Sequence, residues 1–217
     1  MAEKIIKHYP NGAVKEKKRL VEGKKDGEYT SFFSNGQIMA NVHYVCGKKD
    51  GPAISYWSNG HIREKVTFRN GKMEGPYVSY HENGHLWEEE HYIAGKLYGL
   101  YRRYYQSGEL REEENFSKGK FEGPYICYYK NGQIKEQGCF KKDKRDGEYV
   151  SYYKNGQIRE KAHYVKGKLK GKFQTFNEEG VHMDDDSPED ADSGRTWTEK
   201  EVAGLLHDLT HFDKKHK

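Results

Sequence analysis

Much of what usually holds a chain of 217 residues together is scarce here. Apolar residues make up only 34% of the sequence, against 33% charged, which excludes a thick aliphatic interior. No run of 18 apolar residues occurs, so no transmembrane helix is expected. The opening MAEKIIKHYPNG has no apolar segment of the signal-peptide kind, and a cytoplasmic location is the expectation. Three cysteines, Cys46, Cys127 and Cys139, are odd in number and lack C-x-x-C spacing, so no disulfide framework is implied. Catalytic order is missing as well: there is no Ser/His/Asp arrangement and no G-x-S-x-G. The G-K-x-x-G stretches lack the G-K-[ST] ending and the following helix of a phosphate-binding loop. His81 and His85 bracket one Asn-Gly pair, with His91 downstream, but a metal site needs three or four converging ligands. A non-enzyme without cofactor or metal is the expectation.

What the chain has in excess is repetition, with 18 tyrosines, 9 phenylalanines and 24 glycines placed at a fixed period. Asn-Gly recurs at 11–12, 35–36, 59–60, 83–84, 131–132 and 155–156, and Ser107-Gly108 and Glu179-Gly180 fill the remaining slots of a 24-residue repeat. Halfway between falls G-K-x-x-G, starting at Gly23, Gly47, Gly71, Gly95, Gly119 and Gly167, with Asp143 once replacing the first glycine. Asn-Gly between alternating apolar segments is the strongest short hairpin signal, read as a two-residue type I′ turn. The second punctuation is then the wider turn. The segments between are about eight residues, aromatic and β-branched, and suit strands. The expected fold is all-β: an elongated single-layer antiparallel meander of stacked 24-residue hairpins, about fourteen strands at ~4.8 Å spacing in a ribbon roughly 65–70 Å long.

A two-residue turn sets Phe33 opposite Ile38 and sorts the side chains into two faces. One carries Tyr29, Ser31, Phe33, Ile38, Ala40, Val42 and Tyr44, and its equivalents Tyr77, Tyr101, Tyr105, Tyr125, Tyr129, Tyr149 and Tyr153, with Glu64, Glu88, Glu112, Glu136 and Glu160 along the second strands. This aromatic face is the candidate partner-binding surface. The other face carries a basic row, Arg63, Arg111, Lys135 and Arg159, interrupted by Trp87, beside Tyr56, Tyr80, Tyr104, Tyr128 and Tyr152. Glu89 and Glu113 dilute it, which argues against a nucleic-acid groove and leaves anionic lipid head groups as the alternative ligand. A bulged three-residue turn would reverse part of this sorting.

The G-K-x-x-G-x-Y-x-x-Y-Y-x-N-G-x-[IL]-x-E pattern, clearest in DGEYVSYYKNGQIREKAHYVKGKLKG at 146–171, resembles the variant MORN repeat. Bacterial proteins of the YwqK-like group, often labelled antitoxins of toxin–antitoxin systems, are built from it. The resemblance runs over residues 5–183 in about seven and a half units. It implies a twisted ribbon of hairpins that binds proteins, itself or phospholipid head groups, and does no chemistry. Pro52-Ala53 in place of Glu-Tyr, His81 in place of an aromatic, and Ser107 in place of Asn depart from the pattern.

The repeat domain therefore spans 1–183. An acidic linker, DDDSPEDADSG, occupies 184–196 with the residues that follow it, and 197–217 reads as an amphipathic helix. Thr198 and Glu201 form a capping box. Trp197, Val202, Leu205, Leu206, Leu209 and Phe212 make an apolar stripe that would cover the sheet or dock on a partner. Ten acids stand against five Lys/Arg from Asp184 onward, so the overall charge of +4 divides into a basic body and an acidic tail. A protein partner is the expectation. Open strand edges allow self-association, and the basic row would allow attachment at the inner membrane surface.

Overall fold

The computed structural model describes residues 1–183. The linker at 184–196 and the helix at 197–217 lie outside the described residues. Within them the chain forms a single antiparallel sheet of twenty strand segments and no helix. Every strand pairs with its neighbour in sequence, from Ala2–His8 on Val14–Val21 to Gln174–Phe176 on His182–Met183. Four passes are split in two, as at Lys72–Met73 and Gly75–Tyr80. The meander is open at both ends of the described chain.

The two turns exchange the roles expected of them. The tight turn is the second punctuation: Val45 pairs with Lys48, leaving only Cys46 (φ 48°) and Gly47 (φ 83°) between. Glu22, Asn70, Ala94, Lys118, Lys142 and Lys166 share the position and the positive φ of Cys46. A type I′ turn demands this, and it strains a side chain that has a Cβ. At Cys46, Asn70, Ala94, Lys142 and Lys166 a carboxylate of the preceding hairpin anchors the strained residue. Asp50 accepts from the Asn70 amide at 3.0 Å, Glu74 from Ala94 at 2.8 Å, and Asp146 from Lys166 at 3.0 Å. The acid of G-K-x-[DE]-G is thus a tie between hairpins. Ala94→Gly keeps the amide and removes the strain, so it is expected to raise the urea midpoint by the equivalent of up to ~1 kcal/mol.

Asn-Gly makes the wider turn. Phe33 N–H donates to Gln37 O at 2.8 Å and Gly36 N–H to Phe33 O at 3.0 Å, closing a three-residue loop in which Gly36 alone has positive φ, +86°. Asn35 contributes its side chain instead, accepting from the Gln37 amide at 3.0 Å. Such a loop brings a bulge with it. Ser31 pairs with Ala40 and Phe32 with Ile38, so Phe33 does not face Ile38 and residue 39 has no partner. The same extra residue is Arg63, Trp87, Arg111, Lys135 and Arg159 in later units.

One face is packed although no second layer covers it. Tyr29, Ser31, Ala40, Val42 and Tyr44 lie on it as the strand alternation predicts, and so do Tyr149, Ala162 and Tyr164. Tyrosines meet the aromatic of the paired strand edge to face, Tyr101 on Phe116 at 5.9 Å and Tyr149 on Tyr164 at 6.3 Å, a geometry that adds to area burial. Three clusters follow one another along the ribbon, around Phe68, Phe116 and Tyr164. Broad side chains of successive hairpins cover one another laterally.

Candidate binding face

Two columns of polar residues run through the packed face in strict register. Glu64, Glu88, Glu112, Glu136 and Glu160 form one. Ser31, Ser55, Ser79, Arg103, Cys127 and Ser151 form the other, and each of its last four members is paired on both sides with a glutamate. Two of the serines serve the acid with their hydroxyls: Ser151 donates to Glu160 at 3.0 Å and Ser79 to Glu88 at 3.4 Å. The tyrosine column adds donors from the next hairpin, Tyr29 to Glu16 at 3.1 Å and Tyr101 to Glu88 at 3.1 Å. Buried carboxylates need such partners.

At Arg103 the pattern becomes an ion triad. Its guanidinium lies 2.9 Å from Glu88 and 3.2 Å from Glu112, and all three residues are at most 6% exposed. Burial disfavours the charged guanidinium, but Tyr101, Glu112 and Glu88 outweigh it and raise the Arg103 pKa. One unit later the same place between Glu112 and Glu136 holds Cys127, too short to reach either with charge. Burial, then the Glu136 and Glu112 carboxylates, push its thiol pKa up, so it stays protonated.

The column opposite the tyrosines changes too. It reads Val42, Val66, Glu90, Glu114, Gly138, Ala162. Burial drives the Glu90 and Glu114 carboxyls up to about 8, with Glu88 adding repulsion at Glu90 and Glu112 at Glu114. Glu16, where bonds from Lys18, Lys7 and Tyr29 overcome the cost of burial, sits at about 2. At Gly138 the facing Tyr125 ring lies where a side chain would be: a Cβ there would be 2.8 Å from Tyr125 Cε1. Tyr125 makes no bond to Glu112 of the kind its equivalents make, and its buried hydroxyl has no partner among the described residues. Beside it a cleft of about 180 Å³ opens, bordered by Glu112, Glu114, Tyr125, Cys127, Glu136 and Arg145.

The repeat family described as the MORN repeat variant matches residues 25–45, 49–70, 73–94, 97–118, 121–142 and 145–166. The chain belongs to this family. No curated protein matches it. The six matched MORN repeats coincide with the hairpins just described, and the sheet extends them at both ends, by Ala2–His8 with Val14–Val21 and by the strands after Leu169.

Set on this MORN frame, the residues singled out from sequence separate. Tyr29, Tyr77, Tyr101, Tyr125 and Tyr149 lie on the packed face with Glu88, Glu112, Glu136 and Glu160. Phe33, Tyr105, Tyr129 and Tyr153 do not, because the three-residue turn moves them beyond the strand ends. There they link hairpins: Tyr105, Tyr129 and Tyr153 donate to the carbonyls of Tyr128, Tyr152 and Phe176 at 2.7–2.8 Å, and Phe33 has no hydroxyl to do so. Arg63, Arg111, Lys135 and Arg159 are the unpaired bulge residues and do not form a basic row on the far face. Arg63 reaches Glu64 at 3.0 Å and Arg159 reaches Glu160 at 3.4 Å, while Arg111 and Lys135 border the cleft. The far face holds its own pairs, Tyr104 with Glu89 at 2.8 Å and Arg102 with Glu113 at 2.9 Å.

His81 to His85 spell H-E-x-x-H, which binds zinc only when a helix sets both imidazoles on one side. Here the five residues form a hairpin tip. His81 contacts Tyr104 O at 3.3 Å and His85 contacts Gln106 O at 3.0 Å. Among the described residues no three metal-binding side chains converge. Sequence reasoning passed over Arg103, Glu114, Cys127, Gly138 and Arg145. Aligning the units column by column would have exposed Arg103, Cys127 and Gly138, which break the residue type of their columns, and Glu114, which shares its departure with Glu90; Arg145 returns to the basic type of Lys25 and Lys49.

Proposed function

We propose that this MORN protein is a non-enzymatic protein-binding module whose docking surface is the Glu–Tyr face between Gly99 and Tyr164. The observation that carries this is the clustering of departures. The inter-hairpin ties at the turns recur in most units, whereas Arg103, Glu114, Cys127 and Gly138 depart from the residue types of the first units on one face, in consecutive units, around one cleft. Stacking alone does not require these changes. Buried acids cost stability, which fits a surface kept for recognition. Attachment to anionic lipid draws less support, because three of the four basic side chains assigned to it are ion-paired on this face. An antitoxin- or immunity-like pairing in the cytoplasm would be one instance of such a module.

Gly138→Ala is the direct test, since its Cβ would lie 2.8 Å from Tyr125 Cε1 and so displaces a ring that borders the cleft. Affinity capture from the native host with the full chain should lose its partner with Gly138→Ala. Capture should persist with Arg102→Ala, which alters the far face. Equal capture by all three proteins would remove the Glu–Tyr face from the reading.

A further inference from the structure

The chain contains its own example of what the cleft is built to hold. Arg103 lies between Glu88 and Glu112, taking an ion pair from each, beneath the Tyr101 ring at 5.6 Å. Translating that unit by 24 residues puts Cys127 between Glu112 and Glu136, beside Tyr125. The acids and the tyrosine are kept, and the guanidinium is not. Three further features prepare the place. Among the described residues neither Glu114 nor Glu136 is ion-paired. Tyr125, only 5% exposed, borders the cleft with a hydroxyl that has no partner. Arg145, which borders the cleft, is stacked on the rings of Tyr149 at 4.3 Å and Tyr164 at 5.4 Å. A space of about 180 Å³ is below the roughly 300 Å³ of drug-sized pockets, but it suits the head of one long side chain.

We infer that the cleft is a socket for an arginine side chain of the partner protein, which completes between Glu112 and Glu136 the arrangement that Arg103 makes between Glu88 and Glu112. The inference rests on the protein-binding reading above and supplies the partner's chemistry. A guanidinium offers donors in a planar fork to two flanking carboxylates and stacks on an aromatic face. An ammonium offers neither geometry, so lysine should bind more weakly.

The test is a titration of the ¹⁵N-labelled full chain with N-acetylarginine amide, read at the amides of Tyr125, Cys127 and Gly138. Saturable shifts are expected, with a dissociation constant on the order of 1 mM. The neutral isostere N-acetylcitrulline amide should bind at least tenfold more weakly. Cys127→Arg, which supplies the guanidinium from within, should abolish binding. Glu136→Gln, should Cys127→Arg fail to fold, should weaken it about tenfold. Equal binding of the citrulline compound, no saturable shift, or unchanged binding by the folded variants would each overturn the inference. If Gly138→Ala still abolished partner capture in that case, the docking face would stand and only the arginine would fall. Capture indifferent to Gly138→Ala would instead remove the reading beneath it.

Discussion

Arg103→Ala is expected to destabilise the protein by about 3–5 kcal/mol, the cost of leaving buried carboxylates without their cation. Glu88 would keep the hydroxyl bonds of Tyr101 at 3.1 Å and Ser79 at 3.4 Å. Among the described residues Glu112 would keep only a contact with Arg111 at 3.9 Å. The loss should be local at first, because each hairpin touches only its neighbours. Amide exchange should therefore accelerate from Leu86 to Tyr128 before the ends of the ribbon respond. Adding Glu88→Gln and Glu112→Gln to Arg103→Ala should recover much of the loss, since no charge is then left buried. A cost below ~1 kcal/mol for Arg103→Ala, measured by urea denaturation, would show that the triad is not the buried network described.

The second large effect is on pH dependence. Glu90 and Glu114 titrate at about 8 in the folded chain against 4.5 for an ordinary glutamate. Between those values the folded state binds more protons than the unfolded one, so stability falls as pH rises. Below about 4.5 both states are protonated and the contribution is complete; above about 8 it is lost. Each group changes stability by up to ~1.4 kcal/mol per pH unit within the window, amounting to several kcal/mol for the pair. Glu16 acts in the opposite sense below 4.5, since its folded value is about 2, and the two windows do not overlap. Replacing Glu90 and Glu114 together with glutamine should flatten the fall between pH 5 and 8 and leave the variant more stable than the parent at pH 9. An unchanged slope would mean that the two carboxyls are not buried as described.

Much of the architecture was legible because it depends on period alone. A strict 24-residue spacing, strands of about eight residues and two punctuations per unit admit little besides stacked hairpins. Strand alternation then put Tyr29, Tyr101 and Glu112 on one face correctly. The turn chemistry misled, since Asn-Gly suits a two-residue turn by backbone preference, whereas Asn35 acts through its side chain and Cys46, Ala94 and Lys118 take the strained φ. That one exchange carries Tyr105 and Tyr153 off the aromatic face and puts Arg63 and Arg159 beside Glu64 and Glu160. Local preference could not foresee the bulge responsible. The cleft was harder still. It depends on Tyr125 leaning over Gly138 and on Cys127 standing where Arg103 stands, and both are comparisons between units.

The central claim is that successive units are equivalent in space, so that residue 127 occupies between Glu112 and Glu136 the place residue 103 occupies between Glu88 and Glu112. A crystal structure of Cys127→Arg tests it most directly. The account predicts the new guanidinium in ion-pair contact with Glu112 and Glu136, lying against Tyr125, with the cleft filled and the hairpins unshifted. A side chain turned out to solvent, or a sheet whose register slips to accommodate it, would contradict the claim.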